Sequence, residues 1–394
     1  MKKEFSDIYF QERNKKIVIQ GWLLHKIESE YYIPYTQLVY LKEISKYYDQ
    51  ICLLSPVKKT LKTKYRSLKN IKGIIIYDLP FNKNYLSAIK NFFYYVKAFN
   101  ALSKEYDIYY VRFPNPFGWL SKIFFINKKR IIHFVGDPID VIKNNPNFSK
   151  TKKNILLFFF RFEYLIYIWA CKKATVFTNG HHIADKLKKY KINATPLVSS
   201  TLIEEDFCLN IKKEITESPK LLYVGGLRTA KGVETIIFAF SKIIKKYPNA
   251  KLTITGEGEF EKELKSIVLK KKLNSQISFL GHIDSREKLN KLYRSHDIFL
   301  FASLSEGSPR VILEAMANGL PVISTPVGSL PIIFENEKEI IFANFKNEND
   351  FFKKIDQLIQ QKKLYQKLRI NAFKKVQEYT INKFIKKIFL LNRE

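Results

Sequence analysis

Two glutamates with a fixed separation are the first candidates for chemistry in this sequence. Glu306 and Glu314, with seven residues between them, lie in the stretch SLSEGSPRVILEAMANGLPVIS at 303–324. Carboxylates accept hydrogen bonds from hydroxyl groups, which ribose and hexoses supply in pairs. The pair therefore indicates a site for sugar hydroxyls.

Helix signals surround the two glutamates. Ser308 and Pro309 predict the start of a helix as N-cap and first-turn residue, and Gly319 predicts its C-terminal cap. Glu306 would then lie in the loop before the helix, and Glu314 about one and a half turns inside it. The backbone N–H groups of Arg310 and Val311 would be free to bind phosphate.

A second loop offers cations for that phosphate. In the stretch YVGGLRTAKGVETIIFAF, a predicted strand ends before Gly225 and Gly226, which allow a ligand to approach the backbone, and Arg228 and Lys231 follow. Cations at such a loop can stabilise charge on a departing diphosphate. The alternative is that both are ordinary solvated side chains of a lysine-rich chain.

Strands and helices alternate along the chain, as expected for α/β domains. Short β-branched runs alternate with amphipathic segments, a pattern typical of parallel sheets covered on both faces. The predicted strands are 16–21, 50–56, 73–80, 107–113, 130–137 and 174–180, then 220–226, 251–258, 276–282, 297–303 and 321–325. Polar residues 199–220 are interpreted as a linker. We expect two doubly wound Rossmann-like domains facing each other across a cleft, where ligands of open α/β sheets bind.

Charge is distributed unevenly over the 394 residues. The net charge is +31; residues 1–200 contain 35 basic and 14 acidic residues, residues 201–350 contain 21 and 20, and residues 351–394 contain 12 and 3. A general bias toward lysine explains part of the total but not the neutral middle. The N-terminal half is therefore predicted to face an anionic surface or substrate.

Neither the start of the sequence nor its cysteines indicate secretion. The first residues are charged and contain no apolar core of a signal peptide, and three widely spaced cysteines fit neither a disulfide framework nor a zinc site. We expect a cytoplasmic protein.

The most apolar run, 154–173, has three interpretations. It is nearly long enough to span a bilayer, but Arg161 and Glu163 lie in its middle. A central charge costs about 2.5 to 3.5 kcal/mol on insertion scales, which argues against a spanning helix. A core helix and a helix lying on a membrane surface remain open.

Four segments resemble a known family, in order from Leu221 to Gly328: LLYVGGLRTAKGVETI, LTITGEGEF, ISFLGHI and EGSPRVILEAMANGLPVISTPVGS. They look like the nucleotide-sugar half of retaining glycosyltransferases of family 4, which have the GT-B fold. The resemblance implies domains at 1–203 (acceptor) and 204–372 (donor), with 373–394 returning to the first. Gly226 is a departure, since the family often has arginine there.

The resemblance also assigns roles. It implies that Glu306, Lys231 and Arg228 are catalytic, with Glu314 holding the ribose and Gly281 and His282 near the base. Together with the residues of the two loops, the predicted donor-binding residues are Glu314, Gly225, Gly226, Gly307, Ser308, Arg310, Val311, Gly281 and His282. His133 and Asp137 lie at the end of a predicted strand of the first half, and we expect them to face the cleft, His133 as a catalytic candidate and Asp137 on the acceptor side. For His133 a buried structural role is the alternative. The sequence has no Asp-x-Asp pair at a strand edge, so we expect no required metal ion. We also expect no cofactor; the substrate would be a UDP- or GDP-linked sugar.

The implied reaction is sugar transfer with retention to an acceptor hydroxyl. The basic N-terminal half favours a lipid-linked glycan of cell-surface polysaccharide synthesis, at the inner face of the cell membrane. The alternatives are a basic protein that binds nucleic acid or membrane without catalysis, a nucleotide-sugar epimerase and a phosphorylase of the same fold. No helix-turn-helix or zinc-finger pattern accompanies the charge, so no nucleic-acid partner is expected.

Overall fold

The computed structural model describes residues 16–59, 65–83, 85–144, 148–211 and 214–390. The chain divides into two compact units. Unit 1 comprises Met1–Leu197 with Ile385–Glu394, and unit 2 comprises Val198–Phe384.

Unit 1 is built on a largely parallel sheet. Its strands are β1 (Lys16–Gln20), β2 (Leu24–Ile27), β3 (Glu30–Pro34), β4 (Gln50–Lys58), β5 (Tyr65–Ser67), β6 (Ile74–Leu79), β7 (Ile108–Phe113), β8 (Lys129–Phe134), β9 (Thr175–Asn179) and β10 (Ala194–Leu197). The parallel strands lie in the order β10-β9-β8-β7-β1-β4-β6. Ile17, Val18 and Ile19 are all fully buried, which requires cover on both faces of β1.

Helices connect these strands and supply that cover. They are α1 (Tyr35–Ile44), α2 (Tyr85–Ile89), α3 (Phe92–Glu105), α4 (Ser121–Phe124), α5 (Pro138–Asn144), α6 (Lys150–Cys171) and α7 (His181–Lys188). Aromatic side chains fill much of the core, among them Tyr95, Phe99 and Tyr109, each fully buried.

A small antiparallel extension was not predicted from the sequence. β3 pairs antiparallel with both β2 and β5, and β2 joins the sheet through the end of β4, at Val57 and Lys58. These strands have three to five residues each. Such short segments give no period of alternation, so they are not recognised from sequence.

Unit 2 has a parallel sheet of six strands. They are β11 (Lys220–Val224), β12 (Lys251–Thr255), β13 (Ile277–Phe279), β14 (Ile298–Phe301), β15 (Val322–Ser324) and β16 (Ile341–Phe342). The order β13-β12-β11-β14-β15-β16 is the doubly wound order of Rossmann domains. All eleven strand segments predicted from the sequence overlap a strand of the structure, so the predicted α/β architecture is confirmed.

The helices of unit 2 follow its strands. They are α8 (Val233–Lys246), α9 (Glu261–Lys270), α10 (Arg286–Arg294), α11 (Arg310–Ala317), α12 (Leu330–Ile333), α13 (Glu348–Gln360) and α14 (Lys362–Val376). A final helix, α15 (Ile381–Phe389), begins in unit 2 and ends in unit 1. In unit 1, the Phe389 ring lies 5.2 Å from that of Tyr110 and 5.8 Å from that of Tyr48, measured between centroids.

The interpretation of residues 199–220 as a linker is wrong. The described part of this segment packs onto unit 2: the Cys208 N–H donates to the Ala317 carbonyl at 2.9 Å, and the Arg369 guanidinium donates to the Asn210 carbonyl at 2.7 Å. Asp206 is 1% exposed. The polar composition of the segment suggested that it is exposed to solvent. Asp206 shows why this is wrong, because its carboxylate accepts hydrogen bonds from Arg286 and Asn290 inside unit 2.

Candidate active site

Three glycine loops meet at the carboxyl edge of the unit 2 sheet. They follow β11, β12 and β13, and backbone bonds join them: Gly225 N–H donates to the Thr255 carbonyl at 3.0 Å, and Gly256 N–H donates to the Gly281 carbonyl at 2.8 Å. Gly256 has a φ of +132°, and a Cβ there would lie 1.8 Å from the Gly225 oxygen. Only glycine fits this position.

Lys231 and Glu306 join the two predicted motifs. The Lys231 ammonium forms an ion pair with the Glu306 carboxylate, and the two side chains are only 24% and 17% exposed. The Ser303 hydroxyl donates to the same carboxylate at 3.0 Å, and the Leu304 N–H donates to the Ala230 carbonyl at 2.8 Å. The cation of the loop after β11 and the carboxylate of the loop after β14 therefore lie side by side.

The loop before α11 is fixed by a third segment. Gly328 has a φ of +61°, and a Cβ there would lie 2.5 Å from the Glu306 carbonyl oxygen. The Ser329 hydroxyl donates to the Gly307 carbonyl at 3.1 Å. The prediction of Ser308 as N-cap is wrong: Pro309 holds the N-cap position and the helix begins at Arg310, with Val311 next. Gly319, with a φ of +71°, follows the helix end as predicted.

Glu314 is almost buried and is held by two donors. Its side chain accepts from the Arg286 guanidinium at 2.7 Å and from the Tyr293 hydroxyl at 3.2 Å. Arg286 also donates twice to Asp206, at 2.7 and 2.8 Å. Burial alone would raise the pKa of Asp206, but the hydrogen bonds and charge of Arg286 lower it overall.

Arg286 and Asp206 were not predicted as site residues. Arg286 opens α10 directly after Ser285, whose hydroxyl accepts from the Lys288 N–H at 3.3 Å. That capping pattern predicts a helix start, but nothing in it distinguishes Arg286 from the many other basic residues. Its role depends on contacts with residues 28 and 80 positions away.

Other predicted donor residues lie at the same edge but are open to solvent. The Arg228 side chain is 68% exposed, with its Nε 4.0 Å from a Glu259 oxygen. The His282 Nε2 lies 2.8 Å from an Asp284 oxygen. At Gly226 a Cβ would meet no atom closer than 3.8 Å.

The two predicted residues of unit 1 are engaged in its own structure. His133 is fully buried, with Nδ1 2.8 Å from the Tyr110 hydroxyl and Nε2 2.9 Å from the Asn179 amide oxygen. Burial, with the charge of Arg112, lowers its pKa to about 3. Asp137 accepts from the Ile139 N–H at 2.9 Å and pairs with Lys186 at 2.7 Å. The expectation that His133 faces an open cleft does not fit this burial, which favours its structural alternative.

Unit 1 contains a cavity of about 930 Å³ at the carboxyl ends of β4 and β6. Asp78 and several apolar residues line it. The lining also includes cations and aromatic rings, namely Lys26, Lys58, Lys59, Phe81 and Tyr94. The Tyr31 hydroxyl donates to Asp78 at 2.9 Å, and Lys26 pairs with Asp78 at 3.5 Å. This cavity was not predicted, because its lining comes from separate strand ends.

No group of three His, Cys, Asp or Glu side chains suited to a metal ion occurs within the described part of the chain.

Residues 207–375 match the model of the family described as "Glycosyl transferases group 1". An uncharacterized glycosyltransferase of Methanocaldococcus jannaschii is 32% identical over 173 residues, which are 43% of this chain and 44% of that protein. The chain spans about half the length of this and similar curated relatives. The family match lies within unit 2, which carries the candidate site.

Solved structures are similar over nearly the whole chain. Sucrose-phosphate synthase from Thermosynechococcus elongatus has a TM-score of 0.68 at 17% identity, covering 95% of this chain and 97% of its own. The Anabaena protein HepE in complex with UDP and glucose has a TM-score of 0.65 at 16% identity, covering 95% and 98%. The fold is that of GT-B glycosyltransferases, with two Rossmann-like units, and the combined matches support a transferase of the glycosyltransferase class.

Proposed function

We propose that the protein transfers a sugar from a nucleoside diphosphate sugar to an acceptor hydroxyl, with retention at the anomeric carbon. The observation that carries this proposal is the Lys231–Glu306 ion pair, which brings a diphosphate-binding cation and a hydroxyl-binding carboxylate together at the edge of the unit 2 sheet. The family match over 207–375 contains both residues.

Each side chain of the site has a role in this proposal. Lys231 and the exposed Arg228 bind the diphosphate, together with the N–H groups at the start of α11. Glu306 accepts hydrogen bonds from hydroxyls of the transferred sugar. Glu314, which is oriented by Arg286 and Tyr293, accepts hydrogen bonds from the hydroxyls of the ribose.

The chemical step exchanges one bond at the anomeric carbon for another. The bond from that carbon to the diphosphate oxygen breaks, and a bond to the acceptor oxygen forms on the same face. The departing diphosphate takes the acceptor proton, while Lys231 and Arg228 stabilise its negative charge. This route needs no nucleophile from the protein.

The acceptor in this proposal is a lipid-linked glycan of cell-surface polysaccharide synthesis, used at the inner face of the cell membrane. The charge of residues 1–200 and the cavity of unit 1 support it, because lysines bind an anionic linker and aromatic rings pack against sugar rings. The matches to glycosyltransferases do not favour the nucleic-acid alternative.

The donor site is tested by the thermal unfolding of the protein with UDP, GDP and their sugars. We expect one base class to raise the midpoint of the wild type and to have no effect on Glu314→Ala. Glu335→Ala is the matched control, because Glu335 is an exposed glutamate of unit 2 whose carboxylate pairs with surface residue Lys338 at 2.9 Å. No stabilisation of the wild type by any nucleotide would contradict the donor assignment.

The reaction is tested by product analysis with the donor found above. We expect label from the sugar to enter a lipid extract, and the anomeric proton of the product to show the configuration of the donor by NMR. Free epimerised nucleotide sugar formed without acceptor would instead establish the epimerase alternative.

A further inference from the structure

The long helix α6 of unit 1 has one buried and one exposed face, and both are apolar. Its buried face contributes Tyr164, Tyr167, Ile168, Ala170 and Cys171 to the core. The exposed face carries six large apolar side chains that are 43% to 72% exposed: Ile155, Phe158, Phe159, Phe162, Leu165 and Trp169. Their spacing of three or four residues places them on one stripe, about 21 Å long.

A stripe of this kind is unusual on a water-soluble surface. Scattered exposed apolar residues are normal, but a contiguous patch of this extent marks an interaction site. The segment 122–126 lies beside the C-terminal end of the stripe, since the Lys122 ammonium is 6.0 Å from the centre of the Trp169 ring. In this segment Ile123 and Ile126 are also exposed, at 52% and 64%.

The helix does not have the environment of a membrane-spanning segment. Its length and composition would allow it to cross a bilayer, but 33% of its most apolar stretch is buried inside the protein. The buried face includes Glu163, which is 5% exposed. The apolar face that remains is suited to lying in the plane of a membrane interface.

Cations flank the stripe at both ends. Lys150, Lys152 and Lys153 lie in the first turn of α6, and Lys172 and Lys173 follow the last residue of this helix. Burial, with the charges of Arg130, Lys173 and Lys172, lowers the pKa of Lys122. Glu163 is the only acidic residue between 150 and 173, and it belongs to the buried face.

We propose that the exposed face of α6 docks on an anionic lipid bilayer, with the stripe inserted among the acyl chains and the flanking lysines at the phosphates. Charge complementarity favours this partner over a second copy of the chain. A two-fold pair of these surfaces would bring cations against cations, which is repulsive. The inference rests on unit 1 alone and does not depend on the proposed reaction.

The test is co-sedimentation with vesicles of equal parts phosphatidylglycerol and phosphatidylcholine, and with vesicles of phosphatidylcholine alone. We expect the wild type to bind the anionic vesicles more tightly and to be released as salt is raised. The double variant Phe158→Glu, Phe162→Glu should bind at least about tenfold more weakly, because burial of even one phenylalanine is worth a factor of that order.

The control is Leu269→Glu, since Leu269 is 65% exposed on α9 of unit 2 and should not contribute. Phe158 and Phe162 are 72% and 69% exposed, so the double variant should keep the circular dichroism spectrum of the wild type. Its thermal response to nucleoside diphosphates should also be unchanged, which separates a failure of docking from a failure of the donor site.

Three results would overturn the proposal. These are no binding of the wild type to anionic vesicles, equal binding by the double variant, or a dimer of the wild type in light scattering that the double variant abolishes. The last result would assign the stripe to a second copy of the chain.

Discussion

Arg286 is the residue on which the interior of the candidate donor site depends. The Arg286 side chain is 16% exposed, and its guanidinium lies between the side chains of Asp206 and Glu314, which are 2% and 10% exposed. The Asn290 amide also donates to Asp206, at 2.8 Å. Loss of Arg286 would leave two buried acids without their shared counter-charge.

We expect Arg286→Met to lower the free energy of unfolding by about 3 to 5 kcal/mol at pH 7, the usual cost of breaking a buried ion pair. The loss should shrink as pH falls. The lowered pKa of Asp206 stabilises the wild type above the unfolded pKa of the carboxyl, and this stabilisation disappears on acidification. Urea unfolding at pH 7 and near pH 4 measures both effects.

Arg294→Met is the control for that experiment, because Arg294 lies on the same helix and donates to the neutral amide oxygen of Asn318 at 2.8 Å. Its cost should be at most about 1.5 to 3 kcal/mol, the usual contribution of a hydrogen bond with a charged group, and should change less with pH than the cost of Arg286→Met. Equal pH dependence in the two variants would contradict the role given to Arg286.

His133 should remain neutral in the folded protein throughout the physiological range. Its pKa is lowered to about 3, whereas an unfolded histidine titrates near about 6.5, so the unfolded state binds an extra proton between these values. Stability should therefore fall as pH decreases below about 6.5, at up to about 1.4 kcal/mol per pH unit.

NMR titration of the imidazole checks this expectation, with His133→Gln to assign the resonance. The resonance should not shift between pH 5 and 8, and the variant should lose the acid-dependent part of its unfolding free energy. An imidazole that titrates in that range would return His133 to the list of catalytic candidates.

At the scale of elements, the contact between the glycine loops after β11 and β12 is the most demanding feature of the site. A Cβ at position 256 would overlap the Gly225 oxygen, whereas one at position 226 would meet no atom closer than 3.8 Å. We expect Gly256→Ala to abolish the thermal shift with nucleotide and to lower stability by more than about 1 kcal/mol.

Gly226→Ala is its matched control for folding on the neighbouring loop and should keep the stability of the wild type. Gly226→Arg, which restores the residue that the resembled family often has, should also fold normally. If Gly226→Ala were as damaging as Gly256→Ala, the loops would not have the packing described above.

The sequence predicted the elements well and their mutual contacts less well. Apolar runs located the predicted strands, and the Glu306 and Lys231 motifs are adjacent, because both follow strands of one parallel sheet. The neighbours of Glu314 were missed, since Arg286 and Asp206 come from other elements. His133 shows the same limit: its type suggested chemistry, but only packing reveals full burial.

At the scale of the whole molecule, the last helix contributes to the core of unit 1. Phe389 is fully buried between Tyr48 and Tyr110, and its carbonyl accepts from the Lys129 ammonium at 3.4 Å. We expect Phe389→Ala to destabilise unit 1 by about 3 to 5 kcal/mol, the usual cost of removing a buried phenylalanine.

Hydrogen exchange measures this effect unit by unit. Amides of β1 and β7 should exchange faster in Phe389→Ala, while those of β11 and β12 keep their protection. Phe93→Ala is the control, since Phe93 is 81% exposed in the same unit. Uniform loss of protection over both units would contradict a local role for Phe389.

The arrangement of the two units along the chain has a consequence for synthesis on the ribosome. Unit 2 is one continuous segment, whereas unit 1 needs residues 385–389 to cover Tyr48 and Tyr110. Domains generally fold in the order of their synthesis, but here the part of the chain made first is completed last. Until the ribosome has released those residues, the nascent protein exposes the aromatic surface of unit 1, and chaperones that recognise such surfaces have their longest opportunity to bind there.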